Sequence, residues 1–189
     1  MAAKRKTVFE IIMYEYAQLI ADRAIEKRPT TEPAARQGGH YWSFVGHVHH
    51  KLVTGSMSPS SLLRENQLLV TNGHQCAYCG TTGVPLQWEH IIPLSRNGPD
   101  TIDNMVLSCA PCNSEKSTRN PFEWFAARGL DGRAIPRLVM GKLLKVVLDE
   151  HRSRGTDILP EYPPGAGLTI SGACLVFDYP PADSNRPTP

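Results

Sequence analysis

Apolar residues recur at helical spacing over residues 8–28. Phe9, Ile12, Met13, Tyr16, Leu19, Ile20 and Ala24 fall along one side, with Glu10, Glu15, Asp22 and Arg23 between them. The pattern predicts a packing helix ended by Pro29, then a polar, small-residue loop over 30–39. Residues 41–50 mix aromatics with His47, His49 and His50, just after His40. No partner spacing makes these histidines a metal cluster, and a solvated or substrate-facing loop is expected. Ser58-Pro59 is a helix start, with a side-chain cap and proline at the first helical position. Leu62, Leu63, Asn66, Leu69 and Val70 continue along one side and Gly73 supplies a stop.

From Leu86 the period changes. Leu86 to Leu94 alternates and carries β-branched residues, which predicts a strand ended by Pro93. Asn97-Gly98-Pro99 is a loop, Thr101 to Ser108 a second strand, and Ala110 to Thr118 a helix. Pro121 to Arg128 reads as a short helix packed through Phe122, Trp124 and Phe125. A longer helix over about 135–152 carries Leu138, Val139, Leu143, Val146 and Val147. From Leu159 on, prolines and glycines dominate apart from an apolar run at 173–177, so an irregular tail is expected. The whole reads as a small α+β protein, with a helical and loop region over 1–57, a central unit over 58–155 and a Pro/Gly-rich tail over 156–189.

Composition changes this picture little. The chain has 189 residues, 41% hydrophobic and 20% charged, with a formal charge of +2, so bulk charge gives only weak support for a nucleic-acid partner. Arg133, Arg137, Lys142, Lys145, Arg152 and Arg154 load a late segment, for which solvated surface and phosphate contact stay equally open. No window approaches the ~18 apolar residues of a membrane span. No secretory leader pattern opens the chain, so no membrane association and a cytoplasmic location are expected.

The cysteines alter the reading most. Four of the five form two C-x-x-C pairs, Cys76/Cys79 and Cys109/Cys112; Cys174 stands alone. Two such turns give the four soft sulfurs that tetrahedral Zn²⁺ prefers, with no position left for water, so a structural zinc is expected. Gly80 suits the tight turn after the first pair. The segment from Cys76 to about Thr118 has too few apolar residues to hold itself closed. Structural zinc contributes on the order of 10–16 kcal/mol to such units, comparable with the net stability of whole domains.

Glu89-His90-Ile91-Ile92-Pro93, then Asn104, then Cys109-x-x-Cys112-Asn113-x-x-Lys116 resembles the HNH endonuclease motif in its zinc-containing form, over about residues 74–125. The resemblance implies a ββα-metal core in which His90 is the catalytic histidine, Asn104 the middle asparagine and Asn113 the final His/Asn position. Glu89 stands where many members have aspartate. The implied activity is hydrolysis of DNA phosphodiesters, leaving 5′-phosphate and 3′-hydroxyl ends. The residue types suit that chemistry. Imidazole titrates near neutrality and takes a proton from water. The oxygens of Glu89 and Asn113 are hard ligands for catalytic Mg²⁺ or Mn²⁺.

Neighbours on a strand face opposite ways, so Glu89 and His90 need a kink or a division of labour. Asn104 is expected to bond backbone across the loop and so fix His90. Lys116, one helical turn from Asn113, is a candidate for substrate phosphate. DNA is the expected partner; RNA is not excluded, and a homodimer is one way to cut both strands. The competing reading is a non-catalytic zinc-dependent nucleic-acid-binding module.

Overall fold

The computed structural model describes residues 5–26, 38–59 and 74–179. Residues 60–73 of the helix expected from Ser58 and the last residues of the tail, 180–189, lie outside them. The described elements run α1 (Val8–Glu26), α2 (Gly39–Val53), β1 (Leu86–His90), β2 (Met105–Cys109), α3 (Ala110–Lys116), α4 (Pro121–Ala127), α5 (Arg137–Arg154) and α6 (Ile170–Cys174), with short 3-10 turns between several of them. No helix among the described residues is long and apolar enough to cross a membrane.

Helix α1 buries more than one stripe: Val8, Ile11, Ile12, Met13, Tyr16, Ala17 and Ala21 are all buried. It packs on α2 and also on α5 and α6, so Phe9, Leu19 and Ile20 sit only at the edge of the core. The expected loop over 41–50 is instead helix α2. Tyr41, Val45, Val48 and Leu52, spaced 4, 3 and 4 apart, make one buried face, and that is enough for a helix whose remaining positions are mostly polar or exposed. The histidines are its solvent side. His40, His47 and His50 are exposed, and His49 Nε2 lies 3.1 Å from the Glu10 carbonyl oxygen.

Helix α5 is the centre of the molecule, with Val139, Leu143, Leu144 and Val147 fully buried. Two of its lysines are structural. The buried Lys142 Nζ donates to the carbonyls of Ile102 (2.5 Å) and Met105 (2.6 Å). Burial draws its pKa down to about 8, against the pull of Asp103. Lys145 pairs with Asp103 at 2.9 Å and Asp149 at 2.6 Å. The same helix thus grips the turn that precedes β2.

The tail departs furthest from expectation over residues 156–179. Its Leu159 and Asp157 carbonyls accept from the Val8 and Phe9 amides at 2.9 and 2.8 Å, satisfying the first turn of α1. Buried His151 bridges Thr156 Oγ1 (2.8 Å) and the Ala173 carbonyl (3.0 Å). The apolar run at 173–177 forms the end of α6 and a 3-10 turn (Leu175–Asp178), with Ala173, Cys174, Val176 and Phe177 in the core. The prolines and glycines shape the connection without preventing a packed return. Truncating Phe177 to alanine is therefore expected to cost about 3–5 kcal/mol, read as a lowered urea midpoint at unchanged slope.

Candidate functional site

Strands β1 and β2 pair antiparallel from Leu86 opposite Cys109 to His90 opposite Met105. The open end is gathered by the cysteines. Gln75 and Thr82 bridge around the first pair, Cys76 N donates to the Thr81 carbonyl at 2.9 Å and Gly80 N to that of Cys76 at 2.9 Å. Gly80 takes φ +73° there, a conformation glycine adopts without strain. Cys109 ends β2 and Cys112 lies in the first turn of α3. All four sulfurs lie within 4.8 Å of one another, and those of Cys79 and Cys109 are 3.8 Å apart. Four sulfurs at about 2.3 Å from one tetrahedral zinc stand about 3.8 Å apart, so the cluster is compatible with a structural zinc.

The sulfurs are electrostatically frustrated as thiols. Burial pushes Cys76 up, but amides of Cys109, Cys79 and Tyr78 outweigh it and bring it down to about 6. Cys79 is lowered by Thr81. Cys112 is held well above the usual thiol range by burial and by the neighbouring sulfurs. Thiolates so close together cannot all ionise without a cation between them.

His90 ends β1 on the outward face, its side chain 23% exposed, with Nε2 3.0 Å from Asp100 Oδ1. Beyond it the chain leaves the sheet: Ile91 and Ile92 turn into the core, so the strand stops three residues short of Pro93. Asn104, fully buried, holds that departure. Its Oδ1 accepts from Ile92 N (2.9 Å), and its Nδ2 donates to the carbonyls of Ile92 (2.8 Å) and Pro99 (2.9 Å). Its own carbonyl accepts from Ile91 N at 2.7 Å. The loop closes so tightly that a Cβ on Gly98 would lie 2.0 Å from the Ile92 carbonyl oxygen, so only glycine fits. Outside the loop, Arg96 pairs with Glu123 and Asp178, and Asn97 Nδ2 donates to the Phe177 carbonyl at 2.9 Å.

Glu89 and Lys116 depart from the arrangement expected for them. Glu89 faces inward, 5% exposed. Its Oε1 accepts from Lys116 Nζ at 2.5 Å and its Oε2 from the Tyr78 hydroxyl at 2.6 Å. Lys116 is fully buried, donates also to the His90 carbonyl at 2.9 Å, and offers no ammonium to a phosphate. Burial lowers its pKa against the pull of Glu89. The expected pair of metal ligands is therefore not ready for an ion: Asn113 lies half-buried on α3, but Glu89 already holds a cation. The carboxylate beside His90 is Asp100, which spacing did not single out from Asp103 three residues on.

A ββα unit closed by four sulfurs, with an imidazole–carboxylate pair at the far end of its hairpin, defines a metal-knuckle hairpin module. Residues 76–119 match the family model described as HNH endonuclease, so this stretch is an HNH domain within the longer chain. No curated protein and no solved structure matches the chain.

Two outcomes test this geometry. Cys112→Ser is expected to lower bound metal, measured by elemental analysis, and to abolish the cooperative unfolding transition, since the knuckle closes the module. Lys116→Met is expected to cost about 3–5 kcal/mol by stranding the buried Glu89 carboxylate. The double variant Glu89→Gln/Lys116→Met should recover much of that loss in chemical denaturation. A loss from the double variant at least as large as from Lys116→Met would place the stabilisation elsewhere than in the pair.

Proposed function

We propose that the protein is an HNH-type endonuclease that hydrolyses DNA phosphodiester bonds with His90 as general base. The observation that carries this reading is the bond from His90 to Asp100. An ionised carboxylate only accepts, so Asp100 keeps the proton on Nε2 and leaves the Nδ1 lone pair for a water. The Asn104 clamp fixes the backbone just beyond His90, and Asp100 orients the ring.

The chemistry then follows. Nδ1 takes a proton from water, and the hydroxide oxygen attacks phosphorus in line with the 3′ oxygen. The bond from phosphorus to the 3′ oxygen breaks, that oxygen takes up a proton from solvent water, and the ends are 5′-phosphate and 3′-hydroxyl. Asn113 and Glu89 are the side chains that would hold a divalent ion such as Mg²⁺ or Mn²⁺, which would supply Lewis-acid stabilisation of the leaving oxygen when bound. Glu89 can reach such an ion only by giving up Lys116 or Tyr78. Zn²⁺ in the knuckle supports the scaffold and takes no part in the step.

Nicking of supercoiled plasmid tests the proposal, with Mg²⁺, Mn²⁺ or no added divalent ion, on protein of verified zinc content. One site cuts one strand per event, so nicked circles are the expected product. His90→Ala should lower the rate about 10²–10⁴-fold, and Asp100→Asn about 10–100-fold, the usual range for a partner that orients a histidine. Folded, zinc-loaded protein that binds DNA but cuts none of several DNA and RNA substrates would overturn the nuclease reading in favour of a binding module.

A further inference from the structure

The outward face of the hairpin carries a side chain that neither the core nor the chemistry at His90 uses. Along β1, Leu86, Trp88 and His90 share one face and Gln87 and Glu89 the other. Glu89 is shut into the core, yet Trp88 is 50% exposed. Its register partner is Leu107, and that of His90 is Met105, both half-buried. Near the strand ends Leu94 and Ile102 are also about half exposed, at 52% and 51%. Among the described residues the Trp88 indole stacks on no other ring and its Nε1 meets no acceptor.

We propose that Trp88 is a base-stacking residue of the substrate groove, on which an unpaired base next to the phosphate at His90 lies. The inference rests on the reading of His90 as the hydrolytic site. Two residues on one strand face stand about 6.8 Å apart, so a nucleotide whose phosphate sits at His90 has a neighbouring base within reach of the indole. Leu86, Trp88, Met105 and Leu107 are uncharged, so this strip offers a phosphate no ionic contact, while a flat aromatic ring matches the π-face of any base. In a duplex those faces are already covered by adjacent bases, so the contact selects single-stranded or locally opened DNA. A protein partner suits the strip less well. Two five-residue strands cover about 17 Å by 10 Å, far below the ~800 Å² per partner of a stable interface.

The test is binding of end-labelled oligonucleotides to the zinc-loaded full chain without added Mg²⁺ or Mn²⁺, followed by fluorescence anisotropy. Trp88→Ala should weaken binding of a single strand about tenfold or more and of the matching duplex less than twofold. Trp88→Phe should retain most of the affinity, and zinc content and thermal midpoint should not move, since the side chain is exposed. Quenching of tryptophan emission by the single strand should disappear in Trp88→Ala. Equal single-strand affinity in wild type and Trp88→Ala, with nicking still lost in His90→Ala, overturns this inference and leaves the nuclease reading standing. An equal loss on single strand and duplex overturns the preference for unpaired bases. Wild type that binds neither form overturns both.

Discussion

A hairpin of two five-residue strands is marginal in water by itself, and the candidate site is carried on such a hairpin. Its geometry therefore depends on what closes the two ends. At the open end the closure is sulfur: Cys76 and Cys79 come from a turn before β1, while Cys109 and Cys112 come from the junction of β2 and α3. One cation between them would join both strands and the helix at a single point. Without it, crowded and partly ionised sulfurs repel one another where the module most needs cohesion.

At the other end the closure is made of polar groups in the protein interior. Asn104 replaces the ladder bonds that Ile91 and Ile92 lose on leaving the sheet, and Lys142 donates to the carbonyls of Ile102 and Met105 on either side of it. These contacts hold where water is excluded, since an unpaired amide or carbonyl there costs about 1–3 kcal/mol. Helix α5 and the last turn at 175–178, both outside the family match, brace the loop through Lys142, Asp178 and the Phe177 carbonyl. The core motif is thus steadied by parts of the chain whose own chemistry is only packing.

The hairpin, the knuckle and the place of His90 were legible in the sequence because each is local. A period of two, a gap of two between cysteines and a proline after a strand are all written in adjacent residues. Helix α2 was masked by its histidines, which drew the eye from an apolar face only four residues wide. The ordering of residues 156–179 was masked by glycines and prolines. Those residues argue against long helices, but they do not prevent a short helix whose core contacts lie on α1 and α5. Asp100 carried no signal, because its partner is ten residues away across a turn.

Glu89 and Lys116 show where motif reading stops. Spacing put both near His90, and chemistry suggested one for a metal and the other for a phosphate. The strand's alternation turned Glu89 inward, and a helix packed on that side brought a lysine to meet it. Once both are buried, each is worth more to the other than to solvent, because either one alone in the interior is an uncompensated charge. The outward face is left with His90 and Asp100, where solvent can reach them. The hairpin thereby sorts its charged residues by face: the inward pair holds the helix to the sheet, and the outward pair is available for chemistry.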